Sequence, residues 1–131
     1  MEFTFTPIGR LRTESEDIPR HWSVSDVEGV LEIDPALEQG LQDIAPDQLI
    51  VVIFTFDRSR PFSAGDLIQK PPHKHETQGV FSICSPVRPN PLGMSVLRVL
   101  EVENSRIRVR GVDMLDKTPI LDIKPYISPK E

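Results

Sequence analysis

The chain has 131 residues, 38% of them hydrophobic and 27% charged, with a formal net charge of −5. That length fits one domain, 1–131, with a real core, and the acidic balance argues against a surface coated for non-specific nucleic-acid binding, while leaving room for a local basic face. A single cysteine, Cys84, excludes an internal disulfide framework, the amino terminus lacks a signal-peptide pattern, and the longest apolar run (Leu49 to Phe54) is too short to span a membrane, so the expectation is a soluble, cytoplasmic protein with no membrane partner.

Phe3, Phe5 and Ile8 predict an opening strand ending near Gly9, followed by loop from Arg10 to Ser23. Gly29–Ile33 reads as a short strand. Asp34-Pro35 is a helix start, with aspartate as cap and proline in the first turn; Leu37, Leu41 and Ile44 then form one stripe, and Pro46 ends the helix. Leu49–Phe56 is β-branched and aromatic and reads as a strand buried on both faces. Arg58–Glu76 reads as a long loop and Gly79–Cys84 as a further strand. Leu97–Val102 and Arg106–Val112 flank Glu103-Asn104-Ser105 as a hairpin, and Ile120–Ile123 is a last short strand. About seven short strands with one short helix predict an all-β fold, a compact barrel or sandwich.

Between two of these strands lies Ser85-Pro86-Val87-Arg88-Pro89-Asn90-Pro91-Leu92-Gly93. Prolines at alternate positions exclude a helix and a sheet ladder, so the loop is stiff and holds Arg88 and Asn90 at a fixed offset. It reads as a ligand-binding wall or as a stiff connection.

Arg106, Arg108 and Arg110 alternate with Ile107 and Val109, which puts three guanidiniums on one face. The stripe reads as a solvated face paired with glutamates such as Glu101 and Glu103, with contact to phosphates as the alternative. Asp122, Lys124 and Tyr126 share a face in the same way. They form either a proton-transfer or ligand-orienting set, or a polar strand surface with a packed tyrosine. His73 and His75 fall short of a metal site, and none is expected. Cys84 has no histidine beside it to activate a thiol.

Taken together, Pro7-Ile8-Gly9, Gly79-Val80-Phe81, the proline loop continuing to Met94-Ser95, and Asp116-Lys117-Thr118-Pro119-Ile120-Leu121-Asp122-Ile123-Lys124-Pro125-Tyr126 resemble the TrmO/YaeB-like (TsaA-like) proteins. The resemblance implies a β-barrel methyltransferase, usually a homodimer, that binds S-adenosylmethionine without a Rossmann scaffold and methylates N6 of threonylcarbamoyladenosine beside the anticodon of tRNA. A non-catalytic S-adenosylmethionine-binding barrel and a methyltransferase for a small metabolite are the alternatives. Carried over by motif, the cofactor site draws on Arg20, His21, Trp22, Asp57, Arg58, Phe81, Cys84, Arg88, Pro89, Asn90, Met94, Gly111 and Asp113. Asp122, Lys124 and Tyr126 line the same pocket as the catalytic set, and Arg106, Arg108 and Arg110 are the candidate tRNA contacts. The chain departs from the family pattern at Cys84, where an arginine is usual, and at Lys117, where the turn usually has glycine.

Overall fold

The computed structural model describes residues 1–130. Eight strands form: β1 Gly9–Arg12, β2 Glu28–Ile33, β3 Leu49–Thr55, β4 Ile68–Gln69, β5 Gln78–Gly79, β6 Leu92–Glu103, β7 Arg106–Arg110 and β8 Pro119–Pro125. Six of them close into a barrel in the order β1-β2-β7-β6-β3-β8, and β4 pairs with β5 in a separate two-stranded sheet. The all-β barrel expected from the sequence is therefore present. The chain divides into two compact units, Met1–Phe54 with Met94–Glu131, and Thr55–Gly93. The barrel core belongs to the first.

Period-two alternation builds that core. Leu11 points inward from β1, Leu31 and Ile33 from β2, Ile50, Val52 and Phe54 from β3, Leu97 and Val99 from β6, and Ile107 and Val109 from β7, all of them buried. Two close approaches tighten the wall. A Cβ on Gly9 would stand 2.1 Å from the Glu32 carbonyl oxygen, and one on Gly29 would stand 2.9 Å from that of Arg12. Register slips at two places, between Ile53 and Phe54 opposite β8 and between Val99 and Glu101 opposite β7. Such irregularities bend strands toward closure.

Several elements differ from the expected ones. The opening strand is Gly9–Arg12, not the segment ending at Gly9, and Phe3 and Phe5 are exposed. Leu11, flanked by two arginines, carries the inward position that the phenylalanines were expected to fill. The expected helix is present as a 3-10 segment, Pro35–Leu41, with the Asp34 carboxylate accepting from the Ala36 amide. In this tighter winding the four-residue stripe does not line up, and Leu37 is exposed while Leu41 is buried. β3 is buried on one face and half-buried on the other. Gly79–Cys84 is a strand only at its start, and Val80–Ser82 turns into a 3-10 segment. The Arg58–Glu76 loop contains a 3-10 turn, Ala64–Leu67, and β4. The hairpin after β6 turns at Asn104, whose φ is 55°.

Candidate cofactor and catalytic site

In the barrel unit, three of the sequence-predicted cofactor residues converge. His21 caps the 3-10 turn Trp22–Val24, its Nδ1 accepting from the Ser23 amide at 3.3 Å. The His21 and Trp22 rings lie 4.9 Å apart and tilted by 34°. The Trp22 backbone acts on the Asp113 carboxyl and favours its ionised form. Asp113 follows β7 by way of Gly111, whose φ of 103° is in the region that favours glycine. The amides of Gly111 and Val112 both donate to the Val27 carbonyl, fixing the direction of the chain into Asp113.

One partner of Asp113 was not singled out from the sequence. Ser95 is fully buried on β6, and its hydroxyl donates to Asp113 Oδ1 at 2.5 Å. Its neighbour Met94 is 55% exposed, so alternation sends the predicted residue out and the serine in. Its signal emerges only once the strand is known to begin at Leu92, because Ser95 then shares a face with Leu97 and Val99 and a hydroxyl there needs a partner. Burial pushes the Asp113 carboxyl above the ordinary carboxylate range, against the pull of the Ser95 hydroxyl, the Trp22 backbone and the His21 ring. Arg20 is exposed.

Asp122 and Lys124 lie on the outward face of β8, opposite Ile53 and Val51 of β3. Their side chains are half-exposed and form an ion pair of 3.1 Å. The Ile123 amide also donates to Asp122 Oδ1. Tyr126 follows the strand, 41% exposed, with its amide donating to the Leu49 carbonyl. Alternation thus carries the pair as expected, and the tyrosine is open rather than packed.

In the second unit, the proline loop is braced from within. Arg88 Nη1 donates to the carbonyls of Ile83 and Ser85, at 3.0 and 3.1 Å. Gln69 donates to the Val87 carbonyl at 2.8 Å and to that of Asp66 at 2.7 Å. Asp66 in turn receives both Arg60 nitrogens, at 2.9 and 2.7 Å, and the Ser63 amide. These donors hold its carboxyl down to about 2. Stiffness therefore rests on a buried carboxylate as well as on prolines, a feature the sequence concealed. Asp57 and Arg58 approach each other to 3.5 Å at the exit of β3. Phe81, Cys84, Pro89 and Asn90 are exposed.

Arg106, Arg108 and Arg110 project outward from β7, paired with acidic neighbours. Arg108 meets Glu28 at 3.1 Å and Glu101 at 3.3 Å, Arg110 meets Glu28 at 3.6 Å, and Arg106 meets Glu32 at 3.7 Å. Glu32 also receives Arg10 at 3.1 Å. A groove of about 500 Å³ runs over this face, lined by Arg12, Thr13, Ser15, Arg106 and Arg108 among others, and by none of the predicted cofactor residues. Among the described residues, no helix is long and apolar enough to cross a membrane.

A family model described as the tRNA-methyltransferase O N-terminal domain matches residues 10–130. The chain is 41% identical over 128 residues to a probable S-adenosyl-L-methionine-binding protein of Pyrococcus abyssi, covering 94% of this chain and 67% of that protein. It is 35% identical over 91 residues to the Homo sapiens tRNA (adenine(37)-N6)-methyltransferase, covering 70% of this chain and 21% of that protein. A crystal structure of TrmO from Pseudomonas aeruginosa superposes with a TM-score of 0.77 at 31% identity, over 97% of this chain and 57% of that one. The chain thus spans little more than half the length of the TrmO chain it resembles. With a match that runs from β1 through the end of β8 and a shared barrel, the chain belongs to the TrmO N-terminal domain family.

Proposed function

We propose that this domain is an S-adenosylmethionine-dependent methyltransferase acting on N6 of threonylcarbamoyladenosine beside the anticodon of tRNA. The observation that carries the reading is the family match over residues 10–130, joined to relatives named for S-adenosylmethionine binding and for tRNA adenine N6-methylation. Asp113 suits such a cofactor. Its carboxylate is oriented by Ser95, and it is an acceptor for the amine, ammonium or hydroxyl donors that the cofactor carries. The tilted His21 and Trp22 rings offer flat apolar surface beside it. Arg20, Met94 and Gly111 complete the proposed site within the barrel unit, and the motif residues Asp57, Arg58, Phe81, Cys84, Arg88, Pro89 and Asn90 remain cofactor candidates of the second unit taken by itself.

When bound, the cofactor supplies a methyl group on a sulfonium, for which alignment with the acceptor matters more than covalent help. The acceptor nitrogen bears a carbonyl substituent and is a poor nucleophile until its proton leaves. Asp122 or Tyr126 takes that proton in this reading. Lys124, paired to Asp122 at 3.1 Å, orients the carboxylate. A homodimer and a cytoplasmic setting complete this reading, as the family resemblance implies.

A second reading, an S-adenosylmethionine-binding barrel without transferase activity, draws on Cys84. That position holds no guanidinium, and the Arg88 guanidinium already donates to two carbonyls of its own loop.

The test is mass spectrometry of nucleosides from threonylcarbamoyladenosine-bearing tRNA incubated with the purified protein and cofactor. Gain of one methyl group on that nucleoside is expected. Asp122→Asn should lower kcat about 100-fold or more while leaving cofactor affinity within about twofold. Cofactor binding without transfer to tRNA would leave the second reading standing, and no cofactor binding would overturn both.

A further inference from the structure

Ser95 is a polar residue in an apolar wall. It shares its strand face with Leu97 and Val99, all three fully buried, and neither packing nor the ladder asks for a hydroxyl there. An alanine or valine would fill the position without the cost of desolvating an O–H. The hydroxyl donates to Asp113 Oδ1. The Trp22 backbone, which also favours the ionised carboxyl, belongs to the turn that His21 caps. A buried hydroxyl thus clamps one carboxylate oxygen, while the group itself remains half-buried. Clamping an anion in this way fixes where its remaining lone pairs point.

We propose that Ser95 is a positioning residue, whose buried hydroxyl holds the Asp113 carboxylate ionised and aimed as an acceptor for a donor group of S-adenosylmethionine. The inference rests on the cofactor reading above and extends it to a residue that would not touch the cofactor itself. Its consequence is a pH dependence of cofactor affinity in the acid range. The ionised carboxylate is the acceptor, so affinity falls as pH drops through the carboxyl's titration, which burial moves upward and the Ser95 hydroxyl, Trp22 backbone and His21 ring move downward. Removing the hydroxyl subtracts one of the downward influences, so the midpoint must rise. His21 is the charged group that acts on this carboxyl, and it favours the ionised form.

The experiment is calorimetric titration of S-adenosylmethionine into wild type, Ser95→Ala, Ser95→Cys and Ser95→Thr across a pH series, with circular dichroism to follow folding. Wild type should bind more weakly as pH falls through a single midpoint. Ser95→Ala should bind about tenfold more weakly near that midpoint, as expected for a lost hydrogen bond to a charged group, and should show the midpoint shifted upward. Ser95→Cys keeps the volume but replaces the O–H with a weak donor, so it should follow alanine and keeps the test alive if alanine fails to fold. Ser95→Thr should restore the wild-type midpoint. Folded alanine and cysteine variants with an unmoved midpoint would overturn this inference alone, leaving Ser95 with a packing role. Wild type that binds no cofactor at any pH would overturn the cofactor reading, and this inference with it.

Discussion

At Lys117 the backbone adopts φ 69°, in the left-handed region that a Cβ crowds. The turn is held there from both sides, because the Lys117 amide donates to the Leu11 carbonyl at 2.7 Å and the Thr118 amide to the Leu115 carbonyl at 3.2 Å. The lysine therefore keeps a conformation that glycine would take freely, and its side chain is exposed. A left-handed residue costs about 1–2 kcal/mol, and glycine returns about 0.4–1 kcal/mol of that through the freer unfolded chain. Lys117→Gly should then stabilise the protein by about 0.5–1 kcal/mol, read from the midpoint of chemical denaturation. A loss of stability would mean that the lysine side chain contributes more than its backbone costs.

Among the elements, the Asp66 bracket in the Thr55–Gly93 unit makes the sharpest statement about acid. Its carboxyl is held at about 2 against an ordinary 3.8, first by the Arg60 hydrogen bonds and then by the Ser63 amide. A depressed folded value means that the bracket contributes fully above pH 3.8 and is lost as pH falls through about 2. The Ser63 amide resonance should report it, titrating near 2 in wild type and moving up toward 3.8 in Arg60→Gln. An unmoved midpoint would show that the arginine is not the cause. The bracket was invisible in the sequence because Arg60, Ser63 and Asp66 read there as unremarkable charge in a loop. Strands were legible wherever inward residues alternate over four or more positions, as in β2, β3 and β7. β1 was missed because Leu11 is the single apolar side chain between Arg10 and Arg12, and Phe3 and Phe5 gave a stronger but false alternation. Periodicity found the stripe Leu37, Leu41, Ile44 but could not separate α from 3-10 winding over so short a run. Of the candidate site, the motif residues can be named from the chain alone but the buried Ser95 beside Asp113 cannot, since a serine becomes informative only once its strand face is known.

For the molecule as a whole, a net charge of −5 has to be reconciled with the tRNA substrate proposed above. The outward face of β1, β2, β7 and β6 looks at first like the answer, with Arg10, Arg12, Arg106, Arg108 and Arg110 on neighbouring strands. Register sets a carboxylate among them at nearly every step. Glu32 serves Arg10, Arg12 and Arg106, Glu28 serves Arg108 and Arg110, Glu101 serves Arg108, and Asp116 serves Arg12. These exposed pairs are individually weak, yet together they leave a face near neutrality, and a phosphate approaching any guanidinium meets the glutamate already beside it. Each phosphate contact would steepen the dependence of log affinity on log salt by about 0.7–0.9. The combined variant Arg106→Gln, Arg108→Gln, Arg110→Gln should therefore keep the wild-type salt slope for tRNA to within about one unit. A slope reduced by about three would instead assign all three arginines to phosphates, and would require Glu28, Glu32 and Glu101 to give up their partners on binding. That outcome carries its own signature, because replacing Glu28 by glutamine would then tighten tRNA binding by freeing Arg108 and Arg110, whereas on a self-neutralised face the same change leaves affinity where it was.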